Sequence, residues 1–121
     1  MGRHNFKKLK IWQDGIALVR HNYELTKTFP DIEKFNLVTQ MNRCALSIPS
    51  NIAEGSSKST DRHFKKFLEN SLGSAFEWET QLIVSYQEGY LDKNKFEELE
   101  NKILQIQKML GKFIDNIDEK V

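Results

Sequence analysis

Apolar residues recur along this chain at spacings of three and four in four successive stretches, with short polar or turn-forming segments between them. That period lays them along one side of an α-helix rather than on alternate faces of a strand. No stretch shows convincing strand alternation. The expected fold is all-α: an antiparallel up-and-down four-helix bundle, one domain over 1–121, with helices over about 6–29, 31–55, 61–88 and 94–118.

The first helix carries two stripes. Trp12, Ile16, Val19 and Tyr23 follow steps of four, three and four, while Ile11, Leu18, Leu25 and Phe29 fall on a different side of the wheel. A helix with two apolar sides must bury both. It does so between two neighbours of its own bundle, or it turns the second set, Ile11, Leu18, Leu25 and Phe29, toward another subunit. Phe29-Pro30 ends it, because proline disfavours helical geometry in the residue before it.

In the second helix Leu37, Met41, Cys44, Ala45, Ile48 and Ile52 stay in phase across Pro49. An interior proline loses one backbone bond and costs about 3 kcal/mol, so persistence of the period predicts one helix kinked near Pro49 and ending at Gly55 as a left-handed cap. Beside the stripe runs a polar row, Arg43, Ser47, Asn51 and Glu54, with Ser47 placed to serve backbone that the proline frees. Ser59 or Thr60 caps the third helix. Within its apolar arc lies Glu79, which then needs a hydrogen bond or a cation, with Asn51, Gln40 and Arg43 as candidates. Gly89-Tyr90-Leu91-Asp92 closes that helix, and Asn94 with Glu97 resembles a capping box for the fourth. Phe96, Leu99, Ile103, Ile106, Leu110, Phe113, Ile114 and Ile117 form its narrow stripe.

Composition adds limits. With 121 residues, 39% hydrophobic and 29% charged, the chain matches a folded globular domain rather than a disordered one. No apolar run reaches the roughly 18 residues that cross a bilayer, and no secretory signal is evident. A single cysteine permits no internal disulfide, which fits a cytoplasmic location. The net charge of +1 conceals an asymmetry: residues 1–66 carry 12 basic and 6 acidic side chains, residues 67–121 carry 6 and 11. Such halves pair within a bundle, or leave a basic face for phosphate.

Little catalytic chemistry is legible. His4, His21 and His63 have no second ligand at helical spacing, Cys44 sits on a core stripe, and no Glu-x-x-His, nucleophile elbow or phosphate loop is present. No catalytic residue, metal, cofactor, membrane or small-molecule substrate is expected. Arg43, Ser47, Asn51, Glu54, Glu77 and Glu79 read first as a buried polar network that fixes helix register, and second as a binding site. Two basic clusters, Arg3, His4, Lys7, Lys8 and Lys10, then Lys58, Arg62, His63, Lys65 and Lys66, share one end if the helices alternate in direction. There they are candidates for RNA or DNA backbone contact.

Ser47-Ile48-Pro49-Ser50-Asn51-Ile52-Ala53-Glu54-Gly55, preceded by Gln40-Met41-Asn42-Arg43 and answered by Gly73-Ser74 and Glu77-Trp78-Glu79-Thr80-Gln81-Leu82, resembles a known family. It is the four-helix bundle family encoded by intervening sequences in 23S ribosomal RNA genes. Leu9-Lys10-Ile11-Trp12-Gln13, Phe29-Pro30 and Gly89-Tyr90-Leu91 extend the likeness over nearly the whole chain. Phe76-Glu77-Trp78-Glu79 departs from a commoner Glu-Leu-Glu, and Lys58-Ser59 stands where an Arg is common. The resemblance implies a kinked second helix and a homopentameric ring. The chain is also similar to accessory bundle proteins of diversity-generating retroelements, which associate with a reverse transcriptase and nucleic acid. The expectation is a non-enzymatic, self-assembling bundle linked to a 23S rRNA intervening sequence. The alternative is an RNA- or DNA-binding module that uses the basic clusters.

Overall fold

A computed structural model describes residues 5–119. Arg3 and His4 of the first basic cluster lie outside the described residues. Four helices carry the chain: α1 (Lys10–Thr26), α2 (Leu37–Ser56), α3 (Asp61–Gln87) and α4 (Lys93–Glu119), with 3-10 turns at Phe6–Lys8 and Asp31–Glu33. No strand occurs among the described residues, and none of their helices is long and apolar enough to cross a membrane.

Cross-helix contacts fix direction and register. Gly15 of α1 meets Pro49 of α2, and Asn22 meets Asn42, so these helices run antiparallel. Cys44, Ile48 and Gly55 of α2 meet Ser74, Ser71 and Phe67 of α3 in reverse order. On α3 and α4, Phe64 faces Phe113 and Tyr86 stacks on Phe96 at 4.4 Å. The ring closes where α4 returns to α1, more loosely than at the other three seams. One core runs through all four helices, with Trp78, Phe64, Met41, Ile48, Ile52, Leu82, Ile103 and Leu110 at its centre.

Several expected boundaries move. Leu9 is extended (φ −77°, ψ 126°) and separates the Phe6–Lys8 turn from α1, so the first helix does not start at residue 6. It ends at Thr26 rather than Phe29: Thr26 and Thr28 turn their hydroxyls onto the carbonyls of Tyr23 and Leu25, which competes with continued helix. The second helix starts at Leu37, not Asp31, because Asn36 (φ −127°, ψ −98°) breaks the backbone after the Asp31–Glu33 turn.

From there α2 continues unbroken through Pro49 to Ser56. Gly55 is therefore not a left-handed cap. It is a point of close approach, where an added Cβ would lie 2.7 Å from Phe67 Cβ and 2.9 Å from Phe64 Cδ1. Among the described residues only Gly89 has positive φ (81°), and there Tyr90 N–H donates to the Ser85 carbonyl, closing α3 in a Schellman-type turn. The cap of α4 is Asp92, whose Oδ1 accepts from Lys95 N–H at 2.8 Å, not Asn94. Thr60 caps α3 by accepting from His63 N–H at 3.2 Å.

Candidate functional site

Three polar clusters and two surfaces carry what chemistry the bundle has. The first cluster crosses the core itself. Trp78 Nε1 on α3 donates to Asn22 Oδ1 on α1 at 2.9 Å, and Asn22 Nδ2 donates to Asn42 Oδ1 on α2 at 2.7 Å. Thr26 Oγ1 sits 3.3 Å from the same Asn42 oxygen. An indole N–H and a carboxamide have no water here, since Trp78 and Asn22 are fully buried. The chain of bonds satisfies each of them and ties three helices in one register.

None of these residues was among the expected network. Two signals pointed to them: Asn22 interrupts an otherwise apolar stripe four residues after Leu18 and three before Leu25, and a core tryptophan needs an acceptor for its N–H.

The second cluster lies on the α2–α3 seam and contains part of the expected network. Ser47 Oγ is 2.8 Å from Ser74 Oγ, while Asn51 Nδ2 donates to both the carbonyl and the hydroxyl of Ser47 at 2.9 Å. Ser47 thus serves Ser74 and Asn51 rather than backbone freed by Pro49. Beside it the Cys44 thiol donates to the Ser74 carbonyl at 3.2 Å. Burial first, then the charge of Glu77 and its carboxylate as an alternative acceptor, push this thiol from its ordinary 9.0 up to about 12. It is the opposite of an activated nucleophile.

The third cluster corrects the expectation for Glu79. Its partner is Gln107 of α4, which donates from Nε2 at 2.8 Å, not Asn51, Gln40 or Arg43 of α2. Arg43, Glu54 and Glu77 are exposed, and of the three only Glu77 reaches the edge of a cluster, where its carboxylate faces the Cys44 thiol. Of the six expected residues, then, Ser47 and Asn51 come together with Glu77 at the edge of their cluster, Glu79 belongs elsewhere, and Arg43 and Glu54 face solvent.

The basic residues gather at one end, where the Phe6–Lys8 turn, the α2–α3 link and the start of α3 meet the end of α4. The two clusters ride on the start of α1 and the start of α3, helices that stand diagonally across the bundle and do not pack on each other. Lys10 is bound to Asp14 at 2.6 Å, and Lys7 lies 5.9 Å from the Phe6 ring. Lys65 is bound to Asp118 at 2.7 Å, and that hydrogen bond holds its ammonium above the ordinary lysine range. Lys8, Arg62 and Lys66 are exposed. A depression of about 830 Å³ is lined by Thr60, Arg62, His63, Lys65, Lys66 and Glu69.

The stripe of Ile11, Leu18, Leu25 and Phe29 is not a face left for another subunit. All four are buried within the chain, Leu18 to 1% exposure. Of the other set, Val19 is buried as well, at 8% exposure. Trp12 and Ile16 are half-buried and Tyr23 is exposed. On α2, Leu46 (48% exposed) lies one turn from Asn42 on the side turned to α1. Together they leave an apolar strip along the outer α1–α2 seam.

No assembled acid, base and nucleophile is found in any of these places. Among the described residues no group of three or more His, Cys, Asp or Glu side chains could hold a metal ion.

A family model described as 23S rRNA-intervening sequence protein matches residues 7–112. A solved structure, that of a protein of unknown function from the S23 ribosomal protein family of Bacteroides thetaiotaomicron, is similar with a TM-score of 0.80. The two are 24% identical over 86% of this chain and 97% of that one, a likeness of fold. No curated protein matches the chain.

Proposed function

The chain belongs to the 23S rRNA-intervening sequence protein family, and we propose that it acts in the cytoplasm as a non-enzymatic scaffold that assembles with copies of itself and is linked to a 23S rRNA intervening sequence. The observation that carries this is the apolar strip of Trp12, Ile16, Tyr23 and Leu46 on the outer α1–α2 seam. Trp12 packs in part against the core and against Phe6, but Tyr23 and Leu46 are exposed and Ile16 only half-buried, so apolar surface remains in water along this seam of the monomer. Covering it removes apolar surface from water at about 25 cal/mol per Å². A ring of five is the assembly that the resemblance at Ser47–Gly55 implies. Thiol burial at Cys44 and the dispersed carboxylates of α3 support a role without catalysis.

Light scattering at low and high salt, with and without a ribosomal RNA fragment, tests the proposal. A mass of about five chains that ignores RNA is expected, and Ile16→Glu with Leu46→Glu should reduce it to one chain with helix content intact. A wild-type chain that stays monomeric at every concentration sinks the scaffold.

A second reading, an RNA- or DNA-binding module, draws support from the depression beside Arg62 and Lys66. Phosphate contacts there would release counterions, so affinity should fall steeply as salt rises and should drop for all sequences in Arg62→Glu with Lys66→Glu. Lys65 is the weaker choice for this test, because Asp118 already neutralises it.

A further inference from the structure

We propose that Phe35, with Ile32 beside it, is a plug that enters the groove between α1 and α2 of a neighbouring copy. This rests on the self-assembly reading and names the contact that would carry it. Phe35 is 87% exposed and Ile32 is 83% exposed, the two most exposed large apolar side chains among the described residues; Phe76 follows at 53%.

The segment that presents them is held rather than loose. Glu33 N–H donates to the Pro30 carbonyl at 2.9 Å, and Thr39 Oγ1 donates to the Lys34 carbonyl at 2.8 Å. The Glu33 carboxylate accepts from Asn36 Nδ2 at 3.2 Å and from Tyr90 OH at 2.7 Å. The second of these bonds ties the segment to the link between α3 and α4. An apolar side chain fixed outward by its own backbone has its ordering cost met before any encounter, which is what a docking element needs.

A receptor of suitable size lies on the same chain. A groove of about 470 Å³ opens on the outer α1–α2 seam, with Tyr23, Phe29, Pro30 and Val38 as its apolar walls. It has room for the two side chains, yet at 87% exposure Phe35 does not fill the groove of its own chain. Its lining carries Lys27, Lys34 and Asp31, a net charge of +1, against the net −1 of the Asp31, Glu33 and Lys34 that accompany the incoming plug. Tyr23 belongs both to this groove and to the apolar strip, so plug, groove and strip form one continuous surface. A second copy supplies every part of the fit.

Mixing two defective chains tests the pairing. Ile32→Ser with Phe35→Ser removes the plug and leaves the groove; Val38→Trp fills the groove and leaves the plug, with Tyr23→Glu as a substitute if the tryptophan chain does not fold. Circular dichroism checks each for helix content, and light scattering reads mass. Each variant alone is expected to need at least tenfold more protein than wild type to assemble. The plug-less and groove-filled chains together should form a one-to-one complex. A variant that keeps wild-type assembly, or a mixture that stays monomeric at concentrations where wild type assembles, overturns the plug while leaving self-assembly standing. A monomeric wild type removes both, and a plug captured only by a different protein removes the second copy as its occupant.

Discussion

The indole of Trp78 and the carboxamide of Asn22 meet at 2.9 Å in the centre of the bundle, on helices that stand diagonally opposite and otherwise keep apart. Trp78 spans the core, and its N–H would be stranded there without Asn22. Removing only one partner leaves a buried donor or acceptor unpaired at about 1–3 kcal/mol. Asn22→Leu should therefore destabilise the fold by roughly that amount, since it strands the Trp78 N–H and also removes the bond that Asn22 Nδ2 donates to Asn42 Oδ1. In a double-mutant cycle with Trp78→Phe, urea unfolding should show a coupling of about 1–3 kcal/mol. Additive effects would mean that the bond does not hold the helices together.

Two glycines in helices should respond in opposite directions to the same added methyl. At Gly55 the new Cβ meets the Cβ of Phe67 at 2.7 Å, and a Cβ, unlike a side-chain tip, cannot swing aside. Gly55→Ala should cost about 1–3 kcal/mol through overpacking. At Gly73 nothing lies within 4 Å, so Gly73→Ala should gain about 0.5–1 kcal/mol from the lower freedom of the unfolded chain. Thermal unfolding of the two variants separates close packing from simple helix propensity.

That contrast shows why part of the structure was readable and part was not. Four helices, their order and most core positions follow from a period that each helix repeats many times, so one irregular residue does not hide it. Gly55, by contrast, looks like a terminator in sequence, and only the approach of Phe64 and Phe67 from the next helix reveals its packing role, which no local pattern shows. Asp92 and Asn94 are both good caps two residues apart, and the bond to Lys95 N–H decides between them. Glu79 was correctly placed inside the apolar arc of α3, yet that arc has two flanks, and Gln107 waits on the α4 side. Of the two stripes on α1, Gly15 against Pro49 and Asn22 against Asn42 fix which one turns inward.

The thiol of Cys44 should behave as a buried hydrophobe. Its ionisation is pushed from 9.0 to about 12, so the folded chain keeps the proton over a range in which the unfolded chain loses it. Stability that depends on this group is fully present below pH 9, and declines as pH rises from there toward 12. Cys44→Ala should flatten that decline. At pH 8 the folded protein should resist alkylation that the urea-unfolded chain undergoes readily; fast labelling of the folded form would contradict the geometry at Ser74.

Leu18 and Leu46 test which side of α1 is core. Leu18 is 1% exposed and packs inside the ring of helices, whereas Leu46 is 48% exposed on the outer seam. Leu18→Ala should lower the stability of the monomeric chain by about 2–5 kcal/mol, the usual cost of a buried leucine and the cavity it leaves. Leu46→Ala should stay within about 0.5 kcal/mol under the same dilute conditions, because a monomer exposes that side chain anyway. At higher protein concentration the order of effects should reverse for assembly: Leu46→Ala weakens association directly, while Leu18→Ala acts on it only through the fraction of chain that remains folded. Urea unfolding at two protein concentrations reads both quantities. A Leu46→Ala chain whose midpoint shows the same concentration dependence as wild type would place the assembly surface elsewhere.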